Sequence, residues 1–371
     1  MKKIVLYDTT LRDGAQGEGV SFSVADKILI AERLDQFGID VIEGGWPGSN
    51  PKDVEFFTRM QGVRLKHAKL AAFGSTRRAH GEARNDKNLA FLVQAKTPIV
   101  TIFGKSWLFH VKDVLRVSPE ENLRMIGDSV SYLVGKGREV VYDAEHFFDG
   151  YKDNGEYAIR TLLEAQMAGA GYLTLCDTNG GAMPKEIFDI VQKVASQVRV
   201  PLGIHCHNDS AVAVANTLMA VAAGVTQVQG TINGYRERTG NADLCSIIAN
   251  LKLKMGIDCV NDEKLKELCV ISRFVDELAN VRHNAKLPYV GESAFAHKGG
   301  MHVNAVEKVP RSFEHVRPEQ VGNQRRILVS ELSGKSNISL KASELGLHFT
   351  KDVHLTRQII ETLKALEHQG Y

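Results

Sequence analysis

Long apolar runs are missing from this 371-residue chain. No stretch approaches the roughly 20 apolar residues of a membrane-spanning helix, and the opening MKKIVLYDTT is too short for a signal peptide. An excess of one charge is missing too. The 46 Lys and Arg against 44 Asp and Glu leave a formal +2, which gives no electrostatic reason to expect nucleic acid or a membrane surface as partner. Cysteine pairing is absent: Cys176, Cys206, Cys245, Cys259 and Cys269 form no CxxC motif, which argues against zinc-finger and redox motifs. They read as reduced, buried thiols of a cytoplasmic protein. With 43% hydrophobic residues the chain has material for a large core.

What is present is an alternation. Short apolar stretches ending in polar residues or glycine recur at KIVLYD, VIEGG, KLAAFG, IVTIFG, EVVYDAE, YLTLCD, LGIHCH and QVQGTIN. Helical spacing falls between them, at 23–37, 118–134, 155–168, 184–197 and 211–223. Ser118 followed by Pro119 is a helix start, and so is Pro184 after a glycine pair. Eight strands alternating with helices predict parallel pairing with right-handed crossovers. Eight is also the number that closes a (β/α)8 barrel. An open doubly wound sheet is the alternative, but no strand here ends in GxGxxG. We therefore expect an α/β fold, a TIM barrel over 1–258. A smaller, mainly helical appendage follows over 259–371, joined without a low-complexity linker. In it 262–281 and 338–367 read as helix and 283–306 as irregular. No further run of alternating strands follows, so no C-terminal regulatory domain is expected.

In a parallel barrel, chemistry gathers where strands end, and the polar residues collect there. Strand 1 runs into Arg12 and Asp13, strand 2 carries Glu43, strand 5 Asp143 and Glu145, and strand 6 ends at Asp177-Thr178-Asn179. Strand 7 bears His205 and His207, which share one side because residues two apart in a strand do. The glycine-containing NGYRERTGN then delivers Asn241. Each residue has a plain structural role open to it: a packed histidine, a turn aspartate, a solvated loop, a buried salt bridge for Glu43 or Glu145. Together, one carboxylate, two imidazoles and a carboxamide at one barrel mouth make a mixed O/N site for a divalent ion such as Mn²⁺, Mg²⁺, Co²⁺ or Zn²⁺. Arg12, beside Asp13, is suited to stabilise an oxygen that gains negative charge, and it can also pair with Glu43. A 2-oxo acid fits such a site because two of its oxygens can chelate one ion, with the Thr178 hydroxyl on its carboxylate.

YDTTLRDGAQ, GIHCHND and NGYRERTGN, in that order, resemble the signatures of the isopropylmalate, homocitrate and citramalate synthases. These are acetyl-CoA-dependent condensing enzymes of the DRE-TIM metallolyase superfamily. SAFAHKGGMHVNAV resembles the histidine-containing segment of that family's appended subdomain, so the likeness covers nearly the whole chain. It implies Asp13, His205 and His207 as metal ligands, with Asn241 a ligand or close neighbour. It further implies Arg12 on the oxyanion, Glu145 and Thr178 on substrate, and Gln16 and Glu43 around them. His302 would assist proton transfer from the partner subunit of a homodimer. YDAEH, TIFGKSWLFH and CDTNGG depart from the leucine-pathway pattern and point to the branch that converts pyruvate to citramalate for isoleucine biosynthesis. Phe73, Phe103 and Trp107 near the mouth agree with a small acceptor. Other 2-oxo acids, a 3-hydroxyacyl-CoA lyase running the reverse cleavage, and an idle metal-binding subunit are the alternatives.

Overall fold

The computed structural model describes residues 3–329, 333–347 and 353–370. The chain divides into two compact units. One comprises Met1–Asn261 with Ile271–Arg282, the other Asp262–Val270 with His283–Tyr371.

The first unit is the expected barrel. Its strands are β1 (Val5–Asp8), β2 (Val41–Gly45), β3 (Lys69–Ser75), β4 (Ile99–Lys105), β5 (Glu139–Glu145), β6 (Tyr172–Asp177), β7 (Leu202–Cys206) and β8 (Gln227–Gly230). All pair in parallel and in sequence order, and β8 closes on β1 with Val5 opposite Gln227. A helix follows each strand: α1 (Val24–Phe37), α2 (Pro51–Met60), α3 (Lys87–Gln94), α4 (Pro119–Gly135), α5 (Phe147–Met167), α6 (Pro184–Ala195), α7 (Ala213–Ala222) and α8 (Leu244–Leu253). Local chemistry sets the helix starts. The Ser118 hydroxyl accepts from the Glu121 amide at 3.1 Å with Pro119 in the first turn, and Glu186 accepts from the Met183 amide at 2.8 Å.

Two boundaries differ from the sequence reading. Helix α5 begins at Phe147 rather than near 155, because FDGYKDNG, although rich in turn residues, forms a helical segment that kinks at Asn154 (φ −150°). That segment packs so closely on the loop after β4 that a Cβ at Gly150 would lie 2.5 Å from the Ser106 carbonyl. Residues 271–282 belong with the barrel and not with the appendage: Asp276 accepts from Asn233 Nδ2 at 2.7 Å and from the Tyr235 hydroxyl, both on the loop after β8.

The barrel interior is apolar below and polar towards its upper end. Tyr7, Val41, Ala71, Ile99 and Val141 form one buried cluster. Tyr7 donates to Glu43 (2.7 Å) and bonds Thr101 (2.6 Å), and Thr174, Gln227 and Gln229 are buried and hydrogen-bonded to one another. Such a polar layer in place of branched aliphatics is stable only because its members bond one another.

The second unit is mainly helical, as expected. Its described elements include α9 (Asp262–Leu265), a helix Gly300–Lys308, two helices Lys335–Glu344 and Val353–His368, and a two-residue parallel pair of Ala296–His297 with Arg326–Ile327. The stretch 283–306 is not wholly irregular. Gly299 caps the helix that starts at Gly300, and Val303 and Val306 are buried one turn apart. The single helix expected over 338–367 is two, the first ended before Gly346 at φ +70°; residues 348–352 lie outside those described. Among the described residues no helix is long and apolar enough to cross a membrane.

Candidate active site and metal centre

The loop after β1 folds back over the barrel mouth. The Thr9 carbonyl accepts from the amides of Arg12, Asp13 and Gly14 at 2.8–3.2 Å, which turns Arg12 and Asp13 inward. Asp8 secures the turn by accepting from the Thr10 amide and hydroxyl. The Thr10 hydroxyl in turn accepts from the Ile232 amide, tying this loop to the one after β8.

On the opposite wall β7 carries His205, with His207 just beyond its end, and the two imidazole Nε2 atoms face each other at 3.1 Å. Asp13 Oδ2 lies 3.3 Å from His205 Nε2 and 4.0 Å from His207 Nε2. Asn241 reaches the same point through the backbone. The loop after β8 pairs with the end of β7, Ala242 N to Cys206 O at 2.9 Å and Asn208 N to Gly240 O at 2.9 Å, which sets Asn241 beside His207. Asn241 Nδ2 donates to Asp13 Oδ2 at 2.7 Å, and its Oδ1 is buried without a hydrogen-bond partner.

These atoms fit a cation. His205 Nδ1 faces the Gln229 side-chain oxygen at 2.9 Å and His207 Nδ1 the Thr178 carbonyl at 2.5 Å. The Gln229 oxygen draws a ring proton to His205 Nδ1, whereas His207 Nδ1 also meets the Arg238 guanidinium Nη2, a donor, at 2.9 Å. Two imidazole nitrogens 3.1 Å apart need a proton or a metal cation between them. Asp13, His205 and His207 offer ligand atoms within 4.8 Å of one another, a spread that a divalent ion about 2.0–2.2 Å from each would draw together. Electrostatics agrees with that ligand set. Burial opposes ionisation of Asp13, but Arg12, His205 and Arg236 outweigh it and hold the carboxyl well below its ordinary range. Burial, then the neighbouring His205 and Arg236, push His207 down to about 2, so its imidazole is neutral.

Arg12 is fixed on three sides. Its Nε donates to Glu43 and its Nη1 to Asp13, each at 2.6 Å, and its guanidinium carbon lies 3.7 Å from the Phe73 ring centroid. A small cavity of about 190 Å³ opens above these groups. Asp143, Glu145 and Thr178 line one side of it and Trp46, Phe73 and Phe103 another, with Gln16 at the edge. Glu145 pairs with Lys105. Thr178 Oγ1 accepts from the His146 amide at 2.8 Å, which leaves its O–H free to donate. Burial raises Asp143 to about 7.

Most of the residues singled out from the sequence meet here; two readings change. Glu43, placed around the substrate by the resemblance, is fully buried beneath Arg12 and Tyr7 and off the cavity wall, where it forms with Arg12 the ion pair the sequence also allowed. Trp107 does not line the cavity. It stacks on His110 and its indole nitrogen donates to Asp153 at 3.1 Å. Trp46, just past β2, takes its place in the aromatic wall, edge-on to Phe73 and Phe103 at 5.7 Å each. His302 lies in the second unit, exposed, with its ring 4.3 Å from that of Phe313. Arg236 and Gln229 carried no role in the sequence reading. Arg236 donates to Asp13 Oδ2 at 3.1 Å. Gln229 had one legible signal, the QVQ alternation in a strand otherwise expected to be apolar inside.

A model of the HMGL-like family matches residues 3–275, and one described as homocitrate synthase post-HMGL domain-like matches residues 289–371. The chain is 56% identical to the (R)-citramalate synthase of Geobacter sulfurreducens over 371 residues, 100% of this chain and 70% of that protein. The chain belongs to the HMGL-like family, in its citramalate synthase branch. Outside that branch identity falls: the probable 2-isopropylmalate synthase of Methanopyrus kandleri is 34% identical over 368 residues, 99% of this chain and 70% of that one. The HMG-CoA lyase of Bacillus subtilis superposes with a TM-score of 0.65 at 20% identity, covering 77% of this chain and 97% of the lyase. That likeness shows a shared barrel. It carries nothing about activity, whereas the citramalate synthase branch rests on 56% identity over the whole of this chain.

Proposed function

We propose that this chain is an acyltransferase that condenses acetyl-CoA with pyruvate, giving citramalate and free CoA with the help of a divalent ion. One observation carries the reading: His205, the neutral imidazole of His207 and ionised Asp13 converge at a small, aromatic-walled cavity that Arg12 also lines. Asp13, His205 and His207 would hold the ion, with Asn241 Oδ1 as a further oxygen donor, and Mn²⁺, Mg²⁺, Co²⁺ and Zn²⁺ all suit this set. When bound, such an ion supplies Lewis acidity and a template for a 2-oxo acid.

The remaining work falls to the side chains. Thr178 donates its hydroxyl to the acceptor carboxylate. Glu145 takes a proton from the methyl group of acetyl-CoA, and the resulting carbanion bonds to the keto carbon while the C=O electron pair moves to oxygen. Arg12 has Nε and Nη1 committed to Glu43 and Asp13, and Nη2 remains to stabilise that oxygen. Water then cleaves the thioester and CoA leaves as its thiol. Gln16 at the cavity edge contacts substrate. His302 assists proton transfer from a second copy of the chain, which makes a homodimer the working unit. Mixing His302→Ala with Asp13→Ala protein tests this, since shared sites would regain activity.

The test of the whole reading is CoA thiol release from acetyl-CoA with Mn²⁺ against a panel of 2-oxo acids. Pyruvate should give the highest kcat/KM. A higher value for 2-oxoisovalerate would move the chain to the isopropylmalate reaction, and no thiol release with any acceptor would remove the proposal.

A further inference from the structure

Gln229 is fully buried in β8, directly opposite His205 in the register of β7 with β8. Its Nε2 is surrounded by oxygens: Asp143 Oδ1 at 3.1 Å, Thr174 Oγ1 at 3.2 Å and Gln227 Oε1 at 3.4 Å. Thr174 directs its own hydroxyl proton to Gln227 Oε1, at 3.3 Å, so it meets Gln229 as an acceptor. A reversed carboxamide would place its oxygen against the Thr174 and Gln227 acceptors. The amide therefore has one orientation, with its oxygen towards His205 Nδ1.

We infer that Gln229, oriented by Asp143, is the positioning residue that fixes His205 in the tautomer a metal ion requires. His205 holds its proton on Nδ1 because Gln229 can only accept there, which leaves the Nε2 lone pair aimed at His207 and Asp13. His207 Nδ1 lies 2.5 Å from the Thr178 main-chain carbonyl and 2.9 Å from Arg238 Nη2. His205 depends on a chain of two side chains, Asp143 to Gln229 to His205, that begins at the cavity wall and ends at the metal centre. A ligand's outer hydrogen bond of this kind is worth about ten- to hundredfold in metal affinity. The inference rests on the reading of Asp13, His205 and His207 as a cation site and is independent of the acceptor.

The test uses the full chain, metal-free and then titrated with Co²⁺. Nitrogen-15 histidine spectra of the metal-free protein, with His205 assigned by its loss in His205→Gln, should show the Nδ1–H tautomer; an Nε2–H tautomer at His205 overturns the inference. Gln229→Leu should convert His205 to a tautomer mixture, lower Co²⁺ affinity about ten- to hundredfold and change the cobalt d–d spectrum. Gln229→Leu with wild-type affinity and spectrum overturns the inference alone, whereas a wild-type chain that binds no Co²⁺ removes the metal reading beneath it. Should Gln229→Leu not fold, Asp143→Leu is read in the same way.

Discussion

The guanidinium carbon of Arg12 lies over Phe73, 3.7 Å from the ring centroid, while its Nε and Nη1 donate to Glu43 and Asp13. A planar, delocalised cation can meet all three demands at once, and an ammonium cannot. Arg12→Lys should therefore lose roughly a hundredfold or more in kcat while Co²⁺ affinity stays near wild type. Wild-type turnover in the lysine variant would reduce Arg12 to a structural ion pair.

Metal dependence should be absolute. Treatment with a chelator is expected to abolish thiol release, and added Mn²⁺ to restore it. Asp13→Ala and His207→Ala each remove a ligand atom, so isothermal titration should show both losing divalent-ion binding. Full activity in a preparation shown to be metal-free would exclude the ion from the reaction.

The aromatic wall predicts acceptor size. Phe73 and Phe103 stack at 5.5 Å with Trp46 edge-on to both, leaving little room beyond a methyl group. Phe103→Ala leaves the Arg12–Phe73 contact in place. It should shift the kcat/KM ratio of 2-oxoisovalerate to pyruvate upward by about tenfold or more, the scale of one or two methylenes in an apolar pocket. An unchanged ratio would place the size limit elsewhere.

Gly240 is required by the loop that presents Asn241. It sits at φ +95°, and a Cβ there would lie 2.1 Å from the Gly234 carbonyl. Gly240→Ala must displace this turn, and with it the bond from Asn241 to Asp13. We expect a larger loss of Co²⁺ affinity than of thermal stability, measured on the same preparation. Intact metal binding would show that the loop tolerates the shift.

Asp8 gives a pH prediction. Burial raises its carboxyl from 3.8 to about 7 in the folded chain, so the folded state keeps a proton that the unfolded state releases. Its contribution to stability is fully present below 3.8 and is lost as pH rises through about 7. Urea unfolding of wild type should show a lower midpoint at pH 8 than at pH 5, and Asp8→Asn should flatten that difference. An equal pH dependence in both proteins would mean that Asp8 does not titrate there.

Strand periodicity and the residues at strand ends were enough to specify the barrel and to bring Asp13, His205, His207, Arg12 and Thr178 to one mouth. A parallel barrel sends every strand end to the same face, so their meeting follows from topology alone. The His-x-His spacing likewise dictates a shared side of β7. The sequence could not say which way a large side chain turns. Trp107 and Trp46 both follow strands, yet only Trp46 faces the cavity, because the loop after β4 winds into a helical turn that stacks Trp107 on His110. Nor could it assign partners across the barrel. Glu43 lies under Arg12, and Gln229 holds His205, through contacts 31 and 24 residues apart in sequence. Local pattern carries burial and direction; which polar atom satisfies which is decided only when eight strands close and their inward side chains must bond one another.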